Sequence, residues 1–191
     1  MFKRFMTGAA FAAALTAAFA APAFAGQALL PAQSSISFVS TQMGVPVQGH
    51  FAKFGGEVAF DPAQPAAAKI ALTIETGSAT LGVKETDAEL AKADWFNVAK
   101  FPQATFTSSA VKPLGGGKFE VAGQLAIKGK SQPVTVPVTL AQKDGITTAS
   151  GEITIKRLAF DIGGGDWGDT SMVADDVKVN FMLALSGVDK I

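Results

Sequence analysis

Few side chains in this 191-residue sequence could do chemistry. It has one histidine, His50, no cysteine and no tyrosine, and its arginines are Arg4 and Arg157. A zinc or copper centre would have to be assembled from carboxylates around a single imidazole. The acids Asp166, Asp169, Asp175 and Asp176 could in principle gather calcium, but they lack the spacing of a calcium loop and read equally well as solvated turn residues. No metal and no cofactor is therefore expected. A Ser-His-Asp triad would need His50 as base, yet no G-x-S-x-G is present and His50 sits in the strand-like "VQGHFAKF". An enzyme would have to work with His50 or with an Asp beside Arg157, a thin supply for acid–base catalysis. Arg157 has two readings: it ties down a turn through Asp161, or it grips an anionic head group.

Two glycine-rich stretches imitate phosphate-binding motifs. In "GQLAIKGKS" a P-loop would need glycine where Gln124 stands, and the stretch leads into "QPVTVPV" instead of a helix. "GGGDWGD" spells G-x-G-x-x-G at Gly163, Gly165 and Gly168, but too little chain follows for a βαβ unit. Neither carries nucleotide chemistry.

The elements that would position these residues are strands. Apolar residues alternate in "KIALTIET" (Ile70, Leu72, Ile74), in "KFEVAGQLAIKG" (Phe119, Val121, Gly123, Leu125, Ile127), in "PVTVPVTLAQ" and in "DDVKVNFMLALSG" (Val177, Val179, Phe181, Leu183, Leu185). Between them lie the turn signals Phe54-Gly55-Gly56, Asp61-Pro62, Gly115-Gly116-Gly117, Lys128-Gly129-Lys130 and Asp144-Gly145. Short connections and little helical pattern predict an all-β, antiparallel meander of about eight strands that closes to hide its edges. Pro133 and Pro137 suit a strand start and an edge or bulge.

One segment departs from the period of two. "ETDAELAKADWFNVAKFPQATFTSS" predicts a short helix opened by a Thr86/Glu89 capping box and bounded by Pro102. Its aromatics Trp95, Phe96 and Phe101 would pack over one end of the strand assembly before Phe106 enters the next strand. They are either a lid or ordinary core.

Residues 1–25 predict a cleaved signal peptide: Lys3 and Arg4 precede an apolar run that ends in Ala23-Phe24-Ala25. Residues 26–191 then form one domain, and loss of Lys3 and Arg4 leaves 14 basic against 16 acidic residues. That balance offers no basic stripe for nucleic acid. An exported, cysteine-free domain fits a bacterial periplasm.

Taken together, "SSISFVSTQMGVPVQGHFAKFGGEVAFDP", "TDAELAKADWFNVAKFPQATFTSS", "GQLAIKGKSQPVTVPV" and "KRLAFDIGGGDWGDTSMVADDVKVNF" resemble the YceI-like family of bacterial periplasmic proteins across Gln33–Leu185. The resemblance implies a lipocalin-like antiparallel closed β-barrel with an elongated apolar interior. It also implies a carrier or storage protein, not an enzyme, for a polyisoprenoid or a quinone-like amphiphile. On that reading Phe38, Phe51, Leu72, Ile74 and Phe106 are candidates for the lumen wall, with Phe119, Gly123, Leu125, Ile127 and Phe181. Trp95, Phe96, Phe101, His50 and Arg157 are candidates for a lid or mouth. Fifteen phenylalanines beside so few catalytic groups suit a pocket that binds by burial. The alternatives are a structural or partner-binding β-domain with a filled core, and a hydrolase or isomerase. Exposed strand edges could also pair two copies as a homodimer.

Overall fold

The computed structural model describes residues 26–191; the expected signal peptide, residues 1–25, lies outside them. Eleven strands form a single antiparallel sheet: β1 (Ala28–Leu29), β2 (Ser35–Gln42), β3 (Val45–Phe51), β4 (Phe54–Ala59), β5 (Lys69–Glu75), β6 (Ala79–Thr80), β7 (Gln103–Gly115), β8 (Lys118–Ile127), β9 (Lys130–Lys143), β10 (Ile146–Lys156) and β11 (Asp176–Ser186). One helix, α1 (Lys84–Leu90), joins β6 to the aromatic segment.

Hairpin chemistry accounts for the meander. The pairs Met43-Gly44, Lys128-Gly129 and Asp144-Gly145 all have positive φ at both residues, the conformation whose twist matches two-residue hairpin loops. They connect β2 to β3, β8 to β9 and β9 to β10.

Strand order is β4-β5-β7-β8-β9-β10-β11-β2-β3-β6, with β1 added beside β11. The sheet curls into a half-barrel, and among the described residues no ladder joins β4 back to β6 or β3. The pairing thus differs from a ring of about eight strands, and two of its eleven strands are only two residues long. Side chains and turns occupy the seam instead. β2 pairs β11 along Lys178–Met182, and β1 takes its place at Leu185–Ser186. From there the Gln27 amide acts as a strand residue toward the end of β4: its Oε1 accepts from Phe60 N–H at 2.8 Å and its Nε2 donates to Phe60 O at 2.7 Å. At the other end the corner at Ala52 and Lys53 bonds to Ser78 and Glu75.

β9 shows what proline does to a ladder. It pairs with β8 along Lys130–Thr139 but with β10 only over Thr139–Lys143. Pro133 and Pro137 fall inside the strand, in the stretch that lacks the β10 ladder, because a proline has no N–H to give the second neighbour.

The helix begins two residues before the expected capping box. Thr86 lies within its first turn and its hydroxyl donates back to Val83 O at 2.8 Å. Asp87 does the tying: its carboxylate accepts from Thr80 Oγ1 and from Leu81 N–H, both at 2.6 Å, fastening α1 to β6. These bonds hold the Asp87 carboxyl below its ordinary value, the Thr80 hydroxyl contributing most.

Candidate functional site

The inward face of the sheet encloses two chambers, of about 230 Å³ and about 170 Å³. Ile36, Ile74, Leu125, Ile155 and Val179 border both, so the chambers lie end to end along one channel. Period-two alternation produces this directly. Along β8, Phe119, Val121, Leu125 and Ile127 face the chambers while Lys118, Glu120 and Gln124 are exposed.

The smaller chamber is walled entirely by aliphatic and phenylalanine side chains. Leu72, Phe106, Phe119 and Phe181 stand in it, together with Phe60, whose ring meets Phe119 edge-on at 5.3 Å. Phe60, Val111, Phe119, Val121, Leu185 and Val188 form a buried cluster at that end.

The larger chamber grows polar toward the opposite end. The inward residues of β2 run Ile36, Phe38, Ser40, Gln42, from hydrocarbon to amide within four positions of one face. A cap of three segments covers this end. α1 supplies Thr86, Glu89 and Leu90; the following turn supplies Trp95 and Phe96; the connection from β10 to β11 supplies Ile162, Trp167 and Val173. The Phe51 ring meets Phe38 and Phe96, with centroids 5.4 and 5.9 Å apart, and Trp95 meets Trp167 at 5.5 Å. Backbone bonds lock two cap segments together, since Gly163 N–H and Gly164 N–H both donate to Asp94 O. Lys128 reinforces them by donating to Asp94 O and Asp161 O.

Arg157 is the foundation of the cap. Its side chain is 1% exposed, and every N–H it owns goes to a backbone carbonyl. Nε donates to Ala174 O, Nη1 to Ile162 O and Gly163 O, and Nη2 to Trp167 O and Val173 O, at 2.6–3.0 Å. Burial pulls its pKa below the ordinary value, and the nearby Asp175 charge partly offsets this. Arg157 therefore borders the larger chamber and ties down a turn, but through five carbonyls and not through Asp161, which pairs with Lys130 at 3.5 Å. Its donors are fully committed to the fold.

Three sequence expectations do not hold geometrically. His50 is exposed on β3, opposite Ser37 and Thr80, because its neighbours Gly49 and Phe51 take the inward positions. Phe101 stands outside both chambers and packs over the Lys128-Gly129 turn, where a β-carbon on Gly129 would lie 2.9 Å from its ring. Gly123 does not border the channel: a β-carbon there would lie 2.6 Å from the Phe106 ring and 2.5 Å from Thr107 O. Phe106 covers the glycine, and its ring forms the wall at that point.

The four aspartates that could have gathered a cation are spread out. Asp169 accepts from Ser171 N–H, Asp175 from Leu158 N–H, and Asp176 pairs with Lys156. Among the described residues no group of three acids or histidines converges.

Residues 28–185 match the family model of the YceI-like domain. The chain belongs to the YceI-like family. Among relatives, the UPF0312 protein of Shewanella baltica (strain OS185) is 37% identical over 106 residues, covering 55% of this chain and 56% of that protein. Protein YceI of Salmonella arizonae is 42% identical over 92 residues, 48% of each chain. The chain thus spans about half the length of the curated relatives it matches. Among solved structures, Burkholderia cenocepacia BcnA superposes with a TM-score of 0.79 at 48% identity, covering 82% of this chain and 98% of that one. A polyisoprenoid binding domain from Saccharophagus degradans implicated in plant cell wall breakdown shares the fold, with a TM-score of 0.66 at 17% identity over 84% of this YceI-like chain and 97% of that one.

Many lining residues outside the candidate set, such as Ile36, Ile155 and Val179, lie on strands, and a further group lies on α1 or on connections. Phe60, Leu81, Leu90, Trp167 and Val173 all border a chamber, and no alternation marks them. Trp167 had one usable signal, a second tryptophan inside the glycine-rich "GGGDWGD" that the phosphate-motif test passed over.

Proposed function

We propose that this YceI-like protein is a periplasmic carrier that holds the tail of a polyisoprenoid or a quinone-like amphiphile in its channel. The continuous pair of chambers, hydrocarbon at one end and capped at the other, carries the proposal. A slim, branched, flexible chain matches such a channel better than a compact ligand, and burial of its methyl and methylene groups supplies the affinity. In the Saccharophagus degradans domain the same fold serves polyisoprenoid binding, which supports the reading at the level of fold. The walls offer no nucleophile–base pair, and the one imidazole faces away from the chambers, so binding without catalysis is the fitting activity.

In this proposal Gln27 and the Ser78 turn act as the seam that makes a half-barrel behave as a closed lumen toward its ligand. In the same reading residues 1–25 direct export as a signal peptide and are removed in the process. Pairing of two copies along the unladdered β4 or β6 edge is part of the same proposal.

Organic extraction of protein purified from its own compartment, followed by mass spectrometry, should yield a prenyl-chain lipid at close to one per protein. A clean extract from correctly exported protein would overturn the reading. Intact-mass measurement of the periplasmic fraction should find a chain starting at Gly26; retention of Met1 on membrane-bound protein would overturn the export part.

A further inference from the structure

Among the described residues, large apolar side chains stand in solvent at the capped end of the channel: Met43 (66% exposed), Val45 (62%), Val83 (52%) and Met172 (43%). Each lies within three residues of a wall of the larger chamber, at Gln42, Val47, Thr86 and Val173. Two of their segments are joined directly, since Met43 N–H donates to Met172 O at 2.8 Å. Along β3 the inward face reads Phe51, Gly49, Val47, Val45, so its apolar stripe leaves the chamber and continues into the open. The remaining exposed apolar side chains, Leu114, Met182 and Ile191, lie alongside or beyond the smaller chamber instead.

The placement of Met43 runs against turn chemistry. It is the first residue of the β2–β3 turn, with φ at 47°, where asparagine, aspartate or glycine is favoured. The equivalent positions of the β8–β9 and β9–β10 hairpins hold Lys128 and Asp144. A methionine there bears the cost of a left-handed backbone and gains no burial within the molecule.

The chemistry of the rim restricts what could cover it. Segments 41–47, 79–83 and 170–174 contain no charged residue, so nothing in them attracts a charged partner. Their apolar side chains stand on separate segments beside the mouth of an apolar channel. Against the hydrocarbon of a bilayer they would be buried without any matching pocket, and the lumen would become continuous with the membrane interior. A prenyl tail could then pass from one to the other without exposing its methylenes to water.

We infer that the capped end is a membrane-docking face, in which Met43, Val45, Val83 and Met172 enter an uncharged lipid surface and set the channel mouth against it. The inference rests on the lipid-carrier reading of the chambers and adds to it the place where the lipid is taken up. Because the rim segments are uncharged, docking is governed by apolar area and not by anionic head groups.

The test uses phosphatidylcholine vesicles doped with geranylgeraniol. Wild type and variants are produced from the full chain, so any contribution of residues 1–25 is common to all of them. Wild type should float with the vesicles equally at low and high salt. The double variant Met43→Asn/Met172→Ser, whose asparagine suits the turn, should float at least about tenfold less and load the alcohol from vesicles about tenfold more slowly. Its affinity for the same alcohol delivered from cyclodextrin should be unchanged, and Leu114→Ser should match wild type throughout. Should the double variant fold poorly, Val45→Thr, which keeps the β-branch, decides by the same flotation. If the rim variants float and load like wild type, or if wild type does not float yet takes the alcohol from cyclodextrin, the docking face is overturned and the carrier reading stands. If the double variant instead abolishes a concentration-dependent dimer while wild type ignores vesicles, the rim is an interface between copies and the docking face is overturned. Salt-independent flotation that the rim variants abolish, without uptake of the alcohol from either source, would overturn the carrier reading and leave the docking face.

Discussion

The two chambers are built from the same strands yet by different means. The smaller one is pure packing: its wall is carbon, every residue comes from a strand or its immediate end, and each side chain could be exchanged for another hydrocarbon of similar volume. The larger one depends on polar bonds made outside the strands, in three connections that the sheet alone would not order. Arg157 satisfies five carbonyls, Asp94 O receives two amides, and Asp87 fastens the helix. Shape in one chamber follows from side-chain volume and in the other from a hydrogen-bond frame, so the two should respond differently to substitution.

The contrast is sharpest at Arg157. Arg157→Met should cost about 3–5 kcal/mol, since it strands five carbonyls in a dry interior. Arg157→Lys should recover little, because an ammonium has three donors and no planar fork. Urea melts of both variants check this; near-wild-type midpoints would mean the frame is dispensable.

Phe119→Ala, in the carbon-walled chamber, should cost roughly 3 kcal/mol and enlarge the channel, so that the longest prenyl chain bound becomes longer. A matched length series on the variant and the wild type reads that shift. Trp95→Ala, in the cap, should lower the midpoint less than Phe119→Ala does and speed release of a fluorescent prenyl probe about tenfold or more, measured by stopped flow. Equal effects of these two substitutions on stability and release would erase the distinction between the chambers.

Gly123→Leu tests the wall behind Phe106. The new side chain would run into Thr107 O and the Phe106 ring, so the expected result is destabilisation by about 1–3 kcal/mol, with Gln124→Leu on the outer face near neutral. A stable Gly123→Leu with unchanged ligand preference would show that β7 yields there.

The smallest effect concerns acid. The Asp87 carboxyl titrates below its ordinary value of 3.8, so its stabilising contribution is present above that value and disappears as pH falls through the lower folded-state value. Because the side chain is close to solvent the contribution is modest, and Asp87→Asn should remove the acid-side loosening of α1 as seen in amide exchange at Leu81. Unchanged exchange in the variant would dismiss the fastening role.

How much of this was legible in the sequence follows from the same contrast. Wall residues such as Leu72, Ile74, Phe119, Leu125 and Phe181 are readable because a pleated strand alternates strictly, and the apolar face must turn inward. Gly123 sits on that face, yet whether a neighbouring ring covers it depends on the β7–β8 register and its shift between Ser108 and Ala110, which no local pattern encodes. The cap was legible as aromatic content and a short helix, but not as geometry. The five carbonyls of Arg157 come from residues up to seventeen positions away along an irregular connection, and backbone carbonyls carry no sequence signature. The same limit hid the role of Gln27, an ordinary glutamine until its amide meets Phe60.

That amide has a practical corollary. Gln27 is bonded to Phe60 beside the carbon-walled chamber, and the Val188 and Asp189 carbonyls are held there by Gln142. Both ends of the described residues therefore lie at the pole opposite the tryptophans. An affinity tag, a fluorophore or a surface linker attached beyond either one would hold the protein with its cap pointing outward, unobstructed, and exchange of cargo could be followed on immobilised molecules without masking the entrance.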